Sequence, residues 1–123
     1  MPLVVVTRYV VPEAEAASFH ERGRAALDAL RARPGCRRGH LARSIDDPTR
    51  WLLQTEWEST GAYRRALSSY DVKVGAVPLL SEAVDEPTAY EALVDADAAG
   101  LRDAASDLAP DAATAAPREQ RAR

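Results

Sequence analysis

The amino-acid sequence predicts a ferredoxin-like α+β domain, in which elements follow the order βαββαβ and both helices cover one face of an antiparallel sheet. Two observations support this prediction: strand-like and helix-like periodicities alternate in that order, and the composition changes sharply at residue 95. The 123 residues suit one domain with a modest core, which we place at residues 1–94, followed by a tail at 95–123.

The first strand and the first helix are predicted from composition and from helix start and stop signals. Residues 3–11 are rich in valine, which is typical of a strand. Pro12 ends that strand and suits the first position of a helix, and glutamates occupy the following turn. Apolar residues then recur at three- and four-residue spacing until Pro34-Gly35 ends the helix.

A hairpin and a second helix follow. Residues 36–45 and 50–58 are strand-like, and the turn-forming residues Asp-Asp-Pro-Thr at 46–49 join them. Within 50–58 the large apolar residues fall at every second position, whereas after residue 59 they follow a helical spacing. Ser59 is a good N-cap for a helix over 60–69.

The last part of the predicted domain is less regular. Pro78 opens a short helix, and residues 88–94 form the final strand by pattern. The tail from Asp95 is rich in Ala and Asp and has almost no large apolar groups, so it is predicted to be largely disordered, in particular from about Pro110 onward.

One face of such a sheet carries no helix. We expect that face to present six apolar residues of the first and third strands, namely Leu3, Val5, Tyr9, Trp51, Leu53 and Trp57. A large exposed apolar patch usually marks an interface. The sequence therefore predicts a homodimer that packs sheet against sheet.

Composition excludes several classes of function. The net charge of −3 argues against a nucleic-acid partner. The single cysteine, Cys36, allows no intrachain disulfide and no cysteine-cluster metal site, and the sequence contains no glycine-rich phosphate loop and no paired histidines at metal spacing. The apolar N-terminus is short and interrupted by Arg8, so neither a signal peptide nor a membrane partner is expected. We predict a cytoplasmic protein without cofactor or metal.

Three segments resemble the antibiotic biosynthesis monooxygenase family, whose members are small dimeric α+β-barrel proteins. They are Pro34-Gly35-Cys36 before the second strand, TEWESTGAYRRAL at 55–67, and VDEPTAYEALV at 84–94. The resemblance covers about residues 3–94 and implies a fold of the dimeric α/β-barrel type. It is less specific for a reaction, because such scaffolds host several chemistries.

Two branches of that family can be compared with this chain residue by residue. The cofactor-free polyketide monooxygenases have a Trp and a Tyr that contact an anionic polyphenol, and these are similar to Trp57 and Tyr63; their Asn corresponds to Leu53. This resemblance implies a cofactor-independent monooxygenase acting on an aromatic polyphenol or quinol-type metabolite. The haem-degrading branch has its catalytic Asn, Trp and His at positions that correspond to Thr7, Ala66 and Ala76, so haem degradation is not expected.

Three residues are candidates for catalysis. Such chemistry needs a dry pocket that stabilises a phenolate while the substrate anion reacts with dioxygen. Trp57 would donate its indole N–H to a substrate oxygen, Tyr63 would donate or relay a proton, and His40 would be the acid or base, because an unperturbed His titrates near neutrality. The alternative is that both aromatics only pack at the corner and that His40 is a surface residue.

Four more residues are candidates for binding a small aromatic substrate: Thr7, Tyr9, Leu53 and Arg38. Arg38 would stabilise an anion, or else it is a surface or dimer-rim charge. Because Leu53 replaces a polar group, a second hypothesis is a non-catalytic ligand-binding or dimerisation module on the same scaffold. A third is haem binding without degradation.

Overall fold

The structure, a computed structural model, describes residues 2–105 of the chain. It contains two compact units, Pro2–Tyr90 and a unit that begins at Glu91. The strands are β1 (Leu3–Val10), β2 (Cys36–Arg43), β3 (Arg50–Trp57), β4 (Ala89–Glu91), β5 (Val94–Asp97) and β6 (Gly100–Asp103). The helices are α1 (Ala16–Arg31), entered through a 3-10 turn at Glu13–Glu15, α2 (Thr60–Ser68), α3 (Tyr70–Gly75) and α4 (Val77–Leu80).

The main sheet has the strand order β2-β3-β1-β4. β3 lies antiparallel between β2 and β1, with Leu53 opposite both Leu41 and Thr7. This is the split βαβ arrangement that the sequence predicts, so the predicted α+β fold class is confirmed. β5 and β6 form a separate two-stranded antiparallel hairpin.

The prediction of which sheet face the large apolar residues occupy is wrong. All six predicted residues, Leu3, Val5, Tyr9, Trp51, Leu53 and Trp57, are buried in one core with residues of the four helices, including Phe19, Ala62, Val72 and Leu79. They therefore lie on the helix-covered face. The opposite face carries Val4, Val6, Leu52 and Gln54, all partly exposed. Because β1 has valines on both faces, its pattern alone does not determine which face the helices cover.

Two glycines allow close packing around the sheet. A Cβ at Gly39 would lie 2.6 Å from Leu27 Cδ1 and 2.9 Å from the Gln54 carbonyl oxygen, so the glycine lets α1 approach β2. Gly35 has φ +91°, in the left-handed region that glycine tolerates, and a Cβ there would lie 2.5 Å from Ala62 Cβ. Gly35 is the last residue of the connection between α1 and β2, and its backbone contacts α2 at Ala62.

The predicted cap of α2 is confirmed, because the Ser59 hydroxyl accepts a hydrogen bond from the Ala62 N–H at 3.1 Å. The short helix predicted at Pro78 is also present, as α4. The sequence prediction missed α3, whose cap Ser69 accepts from the Val72 N–H at 3.4 Å.

The end of the chain differs from expectation. The predicted strand over 88–94 is divided between β4 and the start of β5. Most residues of β5 and β6 were expected to belong to a largely disordered tail, but they form strands. The tail beyond residue 105 lies outside the described residues. In the described part, no helix is long and apolar enough to cross a membrane.

Candidate functional site

The strand-to-helix corner brings Trp57 and Tyr63 together. Strand alternation turns Trp57 at the end of β3 into the core, where its side chain is completely buried (0% exposed). Ser59 starts α2, and Tyr63, in its first turns, packs against the corner. The Trp57 and Tyr63 ring centroids are 5.5 Å apart with planes inclined by 51°. This tilted pairing is typical of aromatic packing in cores.

The Trp57 indole N–H already has a partner. Its Nε1 donates to Thr55 Oγ1 at 2.8 Å, and Thr55 is itself buried. The two residues are two positions apart on one strand, so they share a face. A substrate oxygen would have to displace Thr55 to accept this hydrogen bond. The geometry therefore favours a packing role for Trp57 over the predicted role as a substrate donor.

A pair of hydroxyl groups lies further along the same face. The Thr7 and Tyr9 side-chain oxygens are 3.0 Å apart, and Thr7 Oγ1 also donates to the Leu53 carbonyl oxygen at 3.4 Å. A hydroxyl has one proton, so when Thr7 donates to Leu53, Tyr9 is the donor to Thr7. Leu53 thus contributes a polar atom through its backbone, although its side chain is apolar and buried.

Both tyrosines of this face have raised pKa values. Burial is the main cause for Tyr9; the hydrogen bond between Tyr9 and Thr7 lowers the Tyr9 pKa in part, and the nearby Glu82 carboxylate raises it. Burial alone raises the pKa of Tyr63. At neutral pH both phenols are therefore protonated hydrogen-bond donors.

A small cavity connects Tyr9 with the surface. Its volume is about 70 Å³, and its lining includes Tyr9, Phe19, Arg22 and Glu82. Arg22 of α1 and Glu82, just after α4, form an ion pair. Neither residue is recognisable as a site residue from the sequence, because the two are 60 positions apart and each looks like an ordinary surface charge. Only the packing of α1 against α4 brings them to the same opening.

The structure separates the remaining candidates from this face. His40 lies opposite Gln54 in the β2–β3 register, on the face without helices, and it is exposed. Arg38 is on the same side and forms an ion pair with Glu56 at 3.8 Å. Of the seven candidates, Thr7, Tyr9, Leu53, Trp57 and Tyr63 thus lie on the helix-covered face, and His40 and Arg38 lie on the other.

Two further observations concern metal and haem. Within residues 2–105, no group of three or more His, Cys, Asp and Glu side chains is arranged to bind a metal ion. Ala66 and Ala76, at the positions of the haem-degrading branch's Trp and His, are both buried in the core. Neither has a side chain that could ligate iron or stack on a porphyrin.

Comparison with known proteins gives one family and a consistent fold. The family model described as antibiotic biosynthesis monooxygenase matches residues 2–76. No curated protein sequence matches this chain.

Solved structures are similar to this chain at low sequence identity. A conserved protein from Methanosarcina mazei is 22% identical, with a TM-score of 0.61 over 73% of this chain and 91% of that one. A mutant of SnoaB, a cofactor-independent oxygenase from Streptomyces nogalater, is 23% identical, with a TM-score of 0.63 over 73% and 91%. Rv0793 from Mycobacterium tuberculosis is 20% identical, with a TM-score of 0.63 over 79% and 100%. At these identities the likeness shows the fold.

Proposed function

Because this chain belongs to the antibiotic biosynthesis monooxygenase family, we propose that it is a cofactor-independent monooxygenase acting on an aromatic polyphenol or quinol-type metabolite. The observation that supports this best is the set of hydroxyl groups of Thr7, Tyr9 and Tyr63, which lie on the helix-covered face among mostly apolar side chains. Buried polar groups are normally hydrogen-bonded, as Thr7 and Tyr9 are to each other, and phenolic donors suit a phenolate substrate.

In this proposal the substrate supplies the electrons. Its phenolate anion reacts with dioxygen: one oxygen atom is inserted into the substrate, whose ring is oxidised to a quinone, and the other leaves as water with the two hydrogen atoms that the substrate loses. Tyr63 donates a hydrogen bond to the phenolate oxygen, since burial keeps its pKa high and its proton in place. The Thr7–Tyr9 pair, oriented by the Leu53 carbonyl, holds the second oxygen of the substrate. Trp57 forms the wall behind Tyr63.

Substrate entry requires side chains to move. The cavity beside Tyr9 holds about 70 Å³, whereas ligand pockets typically hold about 300 Å³ or more. The Arg22–Glu82 ion pair at this cavity is about half exposed on both sides, so its opening costs little. We place the entrance at this pair.

The face without helices supports a homodimer in this proposal. Val4, Val6 and Leu52 are partly exposed there, and Val10 is 57% exposed. A second copy packed on this face would bury that stripe and bring His40 and Arg38 to the interface, across the sheet from Tyr63. Light scattering at micromolar concentration should give twice the monomer mass, and Leu52→Glu should give the monomer. A monomeric unsubstituted protein would contradict the dimer.

Oxygen consumption with dihydroquinones and anthrone-like phenols tests the enzymatic proposal. Tyr63→Phe removes the proposed donor and should lower kcat by about 100-fold, as for other positioned donors. Tyr70→Phe is the matched control, because Tyr70 is 78% exposed and should retain full activity. No turnover with any substrate, or equal rates for the two variants, would refute the proposal.

The alternative is a non-catalytic ligand-binding or dimerisation module. One observation favours it: the Trp57 N–H is satisfied by Thr55 within the core, so that it has no free donor for a substrate. Mass spectrometry of co-purified small molecules, together with thermal-shift screening, would identify a bound ligand. Saturable turnover of any substrate would count against this alternative.

A further inference from the structure

The opposite end of β3 contains a second aromatic group, Trp51, which no proposed role involves. It is six residues from Trp57, or about 20 Å along an extended strand. Trp51 is 7% exposed and packs edge-on against Phe19 of α1, with ring centroids 5.2 Å apart. Any site here is separate from the Tyr63 corner.

The indole N–H of Trp51 is buried without an acceptor. Nε1 has no hydrogen-bond partner in the part of the chain that the structure describes. The indole N–H of Trp57, in contrast, donates to Thr55. Most buried polar groups in proteins have a partner, so an unpartnered donor points to a role for the group.

A cation without a carboxylate partner lies over the same ring. Arg43 Cζ is 5.3 Å from the Trp51 ring centroid, and no carboxylate of residues 2–105 pairs with it. The neighbouring arginines differ in this respect, because Arg8 pairs with Glu86 at 2.7 Å and Arg50 with Asp47 at 3.7 Å. Arg43 is thus available to an anion.

An open cleft adjoins these groups. It measures about 450 Å³, and its lining is Ala16, Ala17, His20, Arg43 and Trp51. The His20 ring stands edge-on to Trp51, with centroids 6.3 Å apart. No acidic residue is among the lining residues, and the two alanines leave room for a ring beside the indole.

We propose that this cleft binds an aromatic carboxylate. The carboxylate accepts hydrogen bonds from Trp51 Nε1 and from the Arg43 guanidinium, whose planar fork suits a planar anion. The aromatic ring of the ligand occupies the space above Ala16 and Ala17. His20 lines the same space with its ring edge-on to Trp51. This site does not depend on the monooxygenase proposal, because Trp51, Arg43 and His20 have no role in that proposal.

The two tryptophans allow a test with an internal control. In the ¹H–¹⁵N spectrum of the full chain, benzoate should shift the Trp51 indole resonance downfield and saturably, while that of Trp57 stays in place. Benzyl alcohol, which has the same ring without the charge, should shift neither resonance. The Trp51 resonance is assigned by its through-space contacts to Phe19, which needs no variant.

Two variants complete the test. Arg43→Gln should weaken benzoate binding by about tenfold, as expected for one charge-assisted hydrogen bond. Arg64→Gln, at an exposed position of α2, should leave the affinity unchanged. The proposal is overturned if both indole resonances stay fixed up to high benzoate concentration, if both move together, or if Arg43→Gln binds as well as the unsubstituted protein.

Discussion

Replacing Thr55 by Val tests whether the Trp57 indole is a structural group or a substrate donor. The substitution keeps the shape of the side chain and removes the acceptor that Trp57 Nε1 has among residues 2–105. Both residues are almost fully buried, at 2% and 0% exposed. No water can therefore replace the lost partner without disturbing the core.

The expected magnitude follows from that burial. A buried donor left without an acceptor costs about 1–3 kcal/mol of unfolding free energy. About 2 kcal/mol lowers the Tm of a domain of this size by roughly 8–16 °C. In the background of Trp57→Phe the donor is absent, so Thr55→Val should cost less than about 0.5 kcal/mol there. The coupling between the two sites is then about 1–2 kcal/mol.

The assay is urea unfolding followed by circular dichroism, applied to the four proteins of this double-mutant cycle. Thr7→Val serves as the control, because Thr7 is a buried threonine on the same face whose hydroxyl bonds Tyr9 and Leu53 rather than Trp57. In a second cycle, Thr7→Val and Trp57→Phe should lower the free energy of unfolding additively. If Thr55→Val and Trp57→Phe were also additive, the interpretation that Thr55 satisfies the Trp57 indole N–H would be refuted.

Three more predictions concern caps, backbone and pH. Ser59→Ala should lower the free energy of unfolding by about 1 kcal/mol, because it removes the cap of α2. Ser68→Ala, on the exposed side of α2, should lower it far less. Equal Tm values of the two variants in calorimetry would show that the cap is unimportant. Gly35→Ala should destabilise by more than about 1 kcal/mol, because φ is +91° and the new Cβ would meet Ala62 Cβ at 2.5 Å; an unchanged urea midpoint would contradict this. The pKa of Tyr9 is raised above its unfolded value of 10.0, so its contribution to stability is complete below that pH and is lost as the pH rises through the folded-state pKa. Stability curves above pH 10 should therefore fall less steeply for Tyr9→Phe than for the unsubstituted protein, and identical slopes would exclude Tyr9 as a contributor.

The candidate site was only partly predictable from sequence. Trp57 and Tyr63 were grouped because they resemble the Trp and Tyr of the polyketide monooxygenases, and their ring centroids lie 5.5 Å apart. His40 was grouped with them, although β2 places it on the other face. Strand alternation predicts that two residues share a face, but it does not say which face the helices will cover.

The sequence by itself determined the order of elements from β1 to α2, the hairpin turn at 46–49, the Ser59 cap and the α+β class. These features depend on interactions between residues a few positions apart, so local composition is enough to specify them. The tertiary structure alone decided that Trp57 bonds Thr55, that Thr7 reaches the Leu53 carbonyl and that Trp51 has no acceptor. Those outcomes depend on which sheet face the helices bury. That choice depends on how side chains from distant parts of the chain pack together in one core.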